Sequence, residues 1–134
     1  MTDVQLIRSA SLTDRAPYAY AAVASDVRQL VFTAGACPLD EHGETVAPGD
    51  IAAQAEQVMA NLKTALEAAG ASLTDVVKTT VYVASQDRKD LTTAWSVVSS
   101  HFGAHDAPST LLGVTVLGYP DQLVEVEAVA ALFH

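Results

Sequence analysis

Two glutamates near the C-terminus are the first candidates for chemistry in this sequence. Glu125 and Glu127 stand in the alternating segment VEVEAVAAL, residues 124–132. Because successive side chains of a strand point to opposite faces, the two carboxylates share one face and the neighbouring valines share the other. The pair is therefore either a reactive group in a cleft or two charges at a solvated strand end or oligomer rim.

The thiol and the imidazoles are weaker candidates. Cys37 is the single cysteine, so no intrachain disulfide forms, and no base or cation beside it in the sequence would activate the thiol. We interpret it as a packed thiol. His101 and His105 have the i, i+4 spacing of a helical metal pair, with Asp106 adjacent. Gly103 between them predicts a helix end and no third ligand is marked, so we predict no metal site there.

The charge balance narrows the classes of partner. The 134 residues include 7 Lys and Arg against 16 Asp and Glu, a net charge of −9. Phosphate backbones and anionic lipid surfaces are bound by clusters of Lys and Arg, so we expect no nucleic-acid and no membrane partner. The N-terminal segment carries Asp3 and lacks a long apolar run, which is unlike a secretory signal. A cytoplasmic protein of one domain, residues 1–134, is expected.

The elements that would position these groups follow from periodicity. Residues 18–25 and 28–36 form two apolar runs around Ser25-Asp26 and predict a hairpin. A long helix is predicted over 51–69, with Asp50 as N-cap and Gly70 after its end. Strands are predicted over 76–84, 110–117 and 123–132, and a second helix over 91–102, with Trp95 in its apolar stripe. The order is ββ-α-β-α-ββ, with room for one short extra strand near the start.

This order predicts an α+β fold in which two helices cover one face of a mixed sheet. On the last strand Val124, Val126, Ala128, Ala130 and Leu132 would face the helices, leaving Glu125, Glu127, Val129 and Ala131 on the other face. If Val76 and Tyr82 also face the helices, then Thr79, Val81 and Val83 give the uncovered face an apolar centre. Such a face on a small chain needs a partner, so we expect a homo-oligomer.

Several segments resemble the Rid (YjgF) family, and the resemblance spans nearly the whole chain. Strong matches are the strand and turn VFTAGACP and the segment DVVKTTVYV that follows AAGA, together with the closing strand LVEVEAVA. Shorter matches are Ala16-Pro17-Tyr18 and, in the long helix, the QAEQ and Asn61-Leu62 segments.

The resemblance implies a chorismate-mutase-like α+β fold and a homotrimer, in which the sheets form a central barrel and ligand clefts lie between subunits. It also implies hydrolysis of reactive 2-enamines and 2-imines to 2-keto acids and ammonia, without metal or organic cofactor. At the matching positions Glu125 would guide the attacking water as a general base. Tyr18, Gly35, Ser109 and Thr110 would bind substrate, although each could equally serve packing, a turn or a strand cap.

One departure from the family pattern bears directly on substrate. Deaminating members carry an Arg that holds the substrate carboxylate bidentately at the opening of the penultimate strand, whereas this chain has Ser109, or Thr110 if the loop slips by one residue. No Lys or Arg follows Lys89. Losing such an anchor costs about 2–5 kcal/mol of binding, so weak or absent activity on 2-iminopropionate-like substrates is expected. Arg15 either replaces the anchor from another direction or is an ordinary exposed loop residue.

The sequence thus favours a trimeric Rid-like protein that hydrolyses imines or enamines at clefts between subunits. The alternative is a catalytically silent trimer that binds a small metabolite. A ribonuclease, a name that some relatives bear, is disfavoured by the acidic charge.

Overall fold

The computed structural model of the protein describes residues 3–134 and contains two sheets and two long helices. Strands β1 and β2 pair antiparallel in a small sheet, and the main sheet has the order β3-β6-β4-β5, in which only β4 and β5 are parallel. The element bounds are β1 Val4–Ile7, β2 Ala21–Ala24, β3 Gln29–Phe32, α1 Ile51–Ala68, a 3₁₀ turn Leu73–Asp75, β4 Val76–Val83, α2 Arg88–Phe102, β5 Ser109–Gly113 and β6 Val124–Leu132. Within these residues no helix combines the length and hydropathy needed to cross a bilayer.

The predicted hairpin across Ser25-Asp26 is wrong. β2 pairs with β1, the short extra strand near the start, and β3 pairs with β6. Asp26 adopts a left-handed conformation with φ of 58°, and the Arg28 N–H then donates to the carbonyl of Leu132. The turn therefore passes the chain from the small sheet to the main sheet, where the long β6 offers a better partner than β2.

The helices follow their predicted boundaries closely. Asp50 caps α1, its carboxylate accepting from the Ala53 N–H at 3.0 Å, and Gly70 follows the helix with φ of 83°. α2 begins three residues before the predicted Leu91, because Asp87 supplies an N-cap by accepting from the Lys89 N–H. Predicted strand β5 is shorter than expected and ends at Gly113, where the chain leaves the sheet.

The core lies between α1, α2 and one face of the main sheet. Met59, Leu62 and Leu66 of α1 pack there in full burial. As predicted for β6, Val124, Val126, Ala128 and Ala130 are buried on this face. The expected apolar contacts of the two helices with a single sheet face are thus confirmed.

The predicted orientation of β4 is wrong. Thr79, Val81 and Val83 are buried toward the helices, while Tyr82 points to the uncovered face. A bulge between Val76 and Lys78 shifts the register, so Val76 stays buried although it and Tyr82 are both even-numbered. The uncovered face is consequently polar at its centre.

The edges of the uncovered face carry exposed apolar side chains. Leu30 and Phe32 on edge strand β3 are 56% and 71% exposed, and Leu112 on the opposite edge strand β5 is 42% exposed. Their strand partners place them on the same face as Tyr82, Glu125 and Glu127. This face, called the open face below, combines a polar centre with apolar rims.

Candidate active site

Glu125 is held by two hydrogen-bond donors at the start of β6. Its Oε1 accepts from the side-chain amide of Gln122 at 3.0 Å and from the thiol of Cys37 at 3.4 Å. Among residues 3–134, no donor hydrogen-bonds to Oε2. One carboxylate oxygen is therefore fixed and the other is available to a water or a substrate.

Gly35 lies directly against this carboxylate. The segment that follows β3 runs beside β6, where Ala36 and Val126 exchange backbone hydrogen bonds of 2.7 and 3.2 Å. A methyl group added at Gly35 would lie 2.1 Å from Oε2 of Glu125, far inside van der Waals contact. A larger residue at position 35 would displace this carboxylate, because the backbone approaches it so closely.

Cys37 is a hydrogen-bond donor in this site. Burial, followed by the hydrogen bond to Glu125 and the negative charge of that carboxylate, raises the pKa of the Cys37 thiol to about 11. The thiol therefore keeps its proton at neutral pH and is a poor nucleophile. The sequence predicted a packed, unreactive thiol, but it gave no signal for the contact with Glu125, which is 88 residues away.

Glu127 occupies a different environment from Glu125. Its Oε1 accepts from the hydroxyl of Tyr82 at 2.6 Å. This hydrogen bond is the main cause that raises the pKa of Tyr82, and desolvation and the negative charges of Glu127 and Glu125 act in the same direction. The two carboxylates share a face, as predicted, but one has a phenol as its partner and the other has an amide and a thiol.

Tyr18 lies beside a small recess on the helix-covered side of the sheet. Its ring packs edge-on against Trp95 of α2, with 6.2 Å between centroids and an angle of 87°. Trp95, Phe102 and Thr79 line the recess. The sequence predicted Trp95 in the apolar stripe of α2, and the family resemblance puts it near a position that can approach the cleft. Its contact with Tyr18 depends on how the N-terminal segment folds back.

The charged side chain at this recess belongs to an ion pair. Asp106 lines it and forms an ion pair with Arg8, whose guanidinium also donates to the carbonyl of Ala16 at 2.9 Å. Arg15 lies in an exposed turn, where its backbone N–H donates to the Thr13 hydroxyl at 3.2 Å.

Ser109 and Thr110 point to opposite sides of the sheet. The Thr79 hydroxyl donates to that of Ser109 at 2.7 Å, next to the recess. Thr110 is exposed on the open face and accepts from Nζ of Lys78 at 2.7 Å. A cation therefore does lie beside β5, although no Lys or Arg follows Lys89, because the parallel pairing of β4 and β5 supplies it.

The histidines do not converge on a common point. His101 lies between Nζ of Lys63 at 2.7 Å and Oε2 of Glu56 at 2.8 Å. His105, beyond the end of α2, donates through Nε2 to the carbonyl of Val76 at 2.8 Å. Within the described chain, no three His, Cys, Asp or Glu side chains are grouped as metal ligands.

The predicted site residues thus form two separate groups within one chain. Glu125 and Gly35 meet on the open face, whereas Tyr18 and Ser109 flank the recess on the helix-covered side. Thr110 stands apart with Lys78, and Arg15 lies in its exposed turn.

Comparison with known proteins identifies the family. The family model described as Endoribonuclease L-PSP matches residues 9–132. A RutC family protein of Pyrococcus abyssi is 40% identical over 105 residues, covering 78% of this chain and 80% of that protein. A 2-iminobutanoate/2-iminopropanoate deaminase of Escherichia coli K12 is 36% identical over 107 residues, covering 78% and 81%.

The fold comparison agrees with the sequence comparison. A crystal structure of the conserved Rid family protein YyfB from Yersinia pestis superposes with a TM-score of 0.90 at 30% identity, covering 97% of this chain and 99% of that one. The α+β arrangement predicted from the sequence, with two helices on one face of a mixed sheet, is confirmed. The chain belongs to the Rid (YjgF/RutC) family.

Proposed function

We propose that this protein hydrolyses imines or enamines without a cofactor, with Glu125 directing the attacking water. The observation that carries the proposal is the carboxylate of Glu125, fixed through Oε1 by two neutral donors and open at Oε2 beside Gly35. A general base needs this arrangement: a defined position and a free oxygen within reach of water. The names of the deaminase relatives support the same chemistry.

The reaction follows from the position of the base. A water placed at Oε2 adds its oxygen to the carbon of the C=N bond and gives one proton to Glu125, which passes that proton to the nitrogen to form a carbinolamine. In the second step Glu125 takes the proton of the carbinolamine hydroxyl and passes it to the nitrogen, the C–N bond breaks to release ammonia, and the hydroxyl becomes a carbonyl. One water is consumed, no redox step occurs, and Glu125 is regenerated.

A homotrimer with clefts between subunits is part of the proposal. Glu125 and the recess near Tyr18 lie on opposite faces of one sheet, so a single chain does not bring them together. The exposed Leu30, Phe32 and Leu112 provide apolar area for a partner copy. A neighbouring subunit packed on the open face would bring its own Tyr18, and the recess beside it, to Glu125 of the first subunit and so complete the site.

We infer that the preferred substrate is an imine or enamine whose recognition does not depend on the carboxylate-binding Arg of the deaminating relatives. Ser109 stands where deaminating relatives carry the Arg, and its hydroxyl is engaged with Thr79. Lys78 offers only a point charge at Thr110, not the planar fork that holds a carboxylate bidentately. Arg15 remains the candidate for a substitute anchor. The recess lined by Trp95 and Phe102 favours a small apolar substituent.

The test measures ammonia release from two sets of imines generated in situ: 2-imino acids from amino-acid oxidases, which all carry a carboxylate, and imines from amine oxidases, which carry none. Imines with an apolar substituent and no carboxylate are expected to be hydrolysed and 2-iminopropanoate to be hydrolysed poorly. Glu125→Ala should abolish turnover, while the matched change Glu127→Gln on the same face should retain most of it. Equal activity of wild type and Glu125→Ala would refute the proposal. Loss of carboxylate-dependent binding in Arg15→Gln would identify Arg15 as the anchor.

A catalytically silent trimer that binds a metabolite is the second candidate, favoured by Ser109 at the Arg position. It predicts a ligand that raises the melting temperature without being turned over, because a ligand that binds only the native state stabilises it. Ribonuclease activity is disfavoured despite the family model's description, since a net charge of −9 repels a phosphate backbone. We place the protein in the cytoplasm, where its lone cysteine would stay reduced.

A further inference from the structure

Two side chains donate to one carboxylate oxygen, one from the adjacent turn and one from a segment distant in the sequence. Oε1 of Glu125 accepts hydrogen bonds from the side-chain amide of Gln122, three residues before it, and from the thiol of Cys37, 88 residues before it. Neither donor was singled out for this role by the sequence. Both are neutral, so they hold the carboxylate in place without a full positive charge to neutralise it.

The orientation of Gln122 is fixed by its other contacts. Its side chain is buried, with 4% of its surface exposed. Its carbonyl oxygen accepts from the Tyr119 N–H at 3.1 Å, which requires the NH₂ group to face the other way. That group donates to the carbonyl of Val124 at 3.2 Å and to Glu125 at 3.0 Å. Every polar atom of the amide is used, so Gln122 ties the turn before β6 to the carboxylate.

We propose that Gln122 and Cys37 are positioning residues that hold Glu125 by Oε1, so that Oε2 above Gly35 is the oxygen that accepts the proton of the water. This inference rests on the proposed function for the identity of the reaction. It adds that Oε2 of Glu125 accepts the proton and that Gln122 and Cys37 hold Oε1. Oε2 lies against the backbone of Gly35, in the space that the Cβ of any other residue would fill, and no donor within residues 3–134 hydrogen-bonds to it.

The thiol suits this task because it stays protonated. Cys37 has one proton, and its sulfur lies 3.4 Å from both the Gly35 carbonyl and Oε1 of Glu125. A thiolate would repel the carboxylate, and the environment that raises the pKa of the thiol to about 11 prevents this at neutral pH. An Arg or Lys at the same place would instead form an ion pair and weaken the base.

The contact is measurable without any substrate, because the chain has a single cysteine. With Cys labelled at ¹³Cβ, the NMR titration of the thiol should have its midpoint near 11 in wild type. Glu125→Gln should lower that midpoint below 11 while leaving it above 9.0, because burial persists when the negative charge is removed. The matched control Glu127→Gln should leave it unchanged. A midpoint that is identical in wild type and Glu125→Gln would overturn the proposal.

Turnover then tests the positioning itself. Cys37→Ala and Gln122→Met should each lower kcat about tenfold, the usual consequence of losing one hydrogen bond to a charged group, with KM little changed. Cys37→Ser, which restores a donor, should recover part of the rate. Gln86→Met, at an exposed position before α2, controls for the loss of a glutamine and should leave kcat unchanged.

The outcomes separate the two proposals. If wild type hydrolyses no imine, the proposed function fails, and the thiol titration alone decides whether Cys37 contacts Glu125. If Glu125→Gln is inactive but Cys37→Ala and Gln122→Met keep the wild-type kcat, the proposed function stands and the positioning role is refuted. A melting temperature close to that of wild type in each variant shows that a lower kcat reflects the site.

Discussion

Replacing Gly35 by alanine should lower the rate of the proposed reaction strongly while leaving the protein folded. The added methyl group would lie 2.1 Å from Oε2, 2.5 Å from Cδ and 2.7 Å from Cγ of Glu125. The backbone of Gly35 is not in the left-handed region, so alanine fits the local conformation. The whole end of the glutamate must therefore move, since side-chain carbons do not approach other atoms closer than about 3.0 Å.

The magnitude follows from that displacement. Restoring ordinary contact requires a shift of roughly 1 Å, and a misplacement of this size can lower the rate of an enzyme about 100-fold. The shifted carboxylate also loses its hydrogen bonds to Gln122 and Cys37, each contributing about 1 kcal/mol to stability. Alanine offsets about 0.4–1 kcal/mol of that loss by restricting the unfolded chain. We expect kcat to fall about 100-fold and the melting temperature to change by only a few degrees.

The assay compares ammonia release and thermal unfolding of Gly35→Ala and Gly118→Ala. Gly118 is the matched control because a methyl group there meets nothing within 4 Å and its backbone is also outside the left-handed region. It should keep both rate and stability. Gly35→Ala with wild-type kcat would show that the position of Glu125 does not limit the reaction, and the reasoning from the close approach would be refuted.

Three further predictions test the fold, the assembly and the pH dependence. Leu62→Ala in the fully buried core should lower the free energy of unfolding by about 2–5 kcal/mol in chemical denaturation. Phe32→Glu, which charges the exposed rim of the open face, should convert the proposed trimer to a species near 14.0 kDa in light scattering, and a wild-type mass near that value would contradict the trimer. The folded-state pKa of the Cys37 thiol is raised from 9.0 to about 11. The protonated thiol therefore contributes fully to the free energy of unfolding below pH 9, and this contribution is lost as the pH rises toward 11. Cys37→Ala should flatten that decline when the free energy of unfolding is measured by urea titration at each pH.

The sequence predicted an element correctly where the residues that determine it lie within that element or next to it. Asp50 and Gly70 bracket α1 in the sequence, and the structure shows the cap hydrogen bond and the left-handed glycine that they predict. The alternation of β6 is regular, so the burial of Val124 and Val126 on one face could be predicted from period 2 alone. These features depend on neighbours within a few residues.

Features that depend on competition between distant segments could not be predicted in this way. β3 has as good an apolar pattern for pairing with β2 as for pairing with β6, and only the complete sheet shows that the longer β6 is its partner. The contact of Cys37 with Glu125 and that of Trp95 with Tyr18 join segments far apart in the chain. Residue spacing does not predict such pairs, since they depend on the conformation of the loops between the two segments.

The bulge in β4 explains why the two glutamates of β6 differ. Without the register shift after Val76, Tyr82 would face the helices and both carboxylates would look onto an apolar strand. With it, the Tyr82 hydroxyl reaches Glu127 at 2.6 Å and occupies that carboxylate. Glu125, two residues nearer the start of the strand, instead packs against Gly35, and no donor within residues 3–134 hydrogen-bonds to its Oε2. The extra residue of the β4 bulge thus gives Glu127 a hydrogen-bond partner in Tyr82 and leaves Glu125 for the proposed reaction.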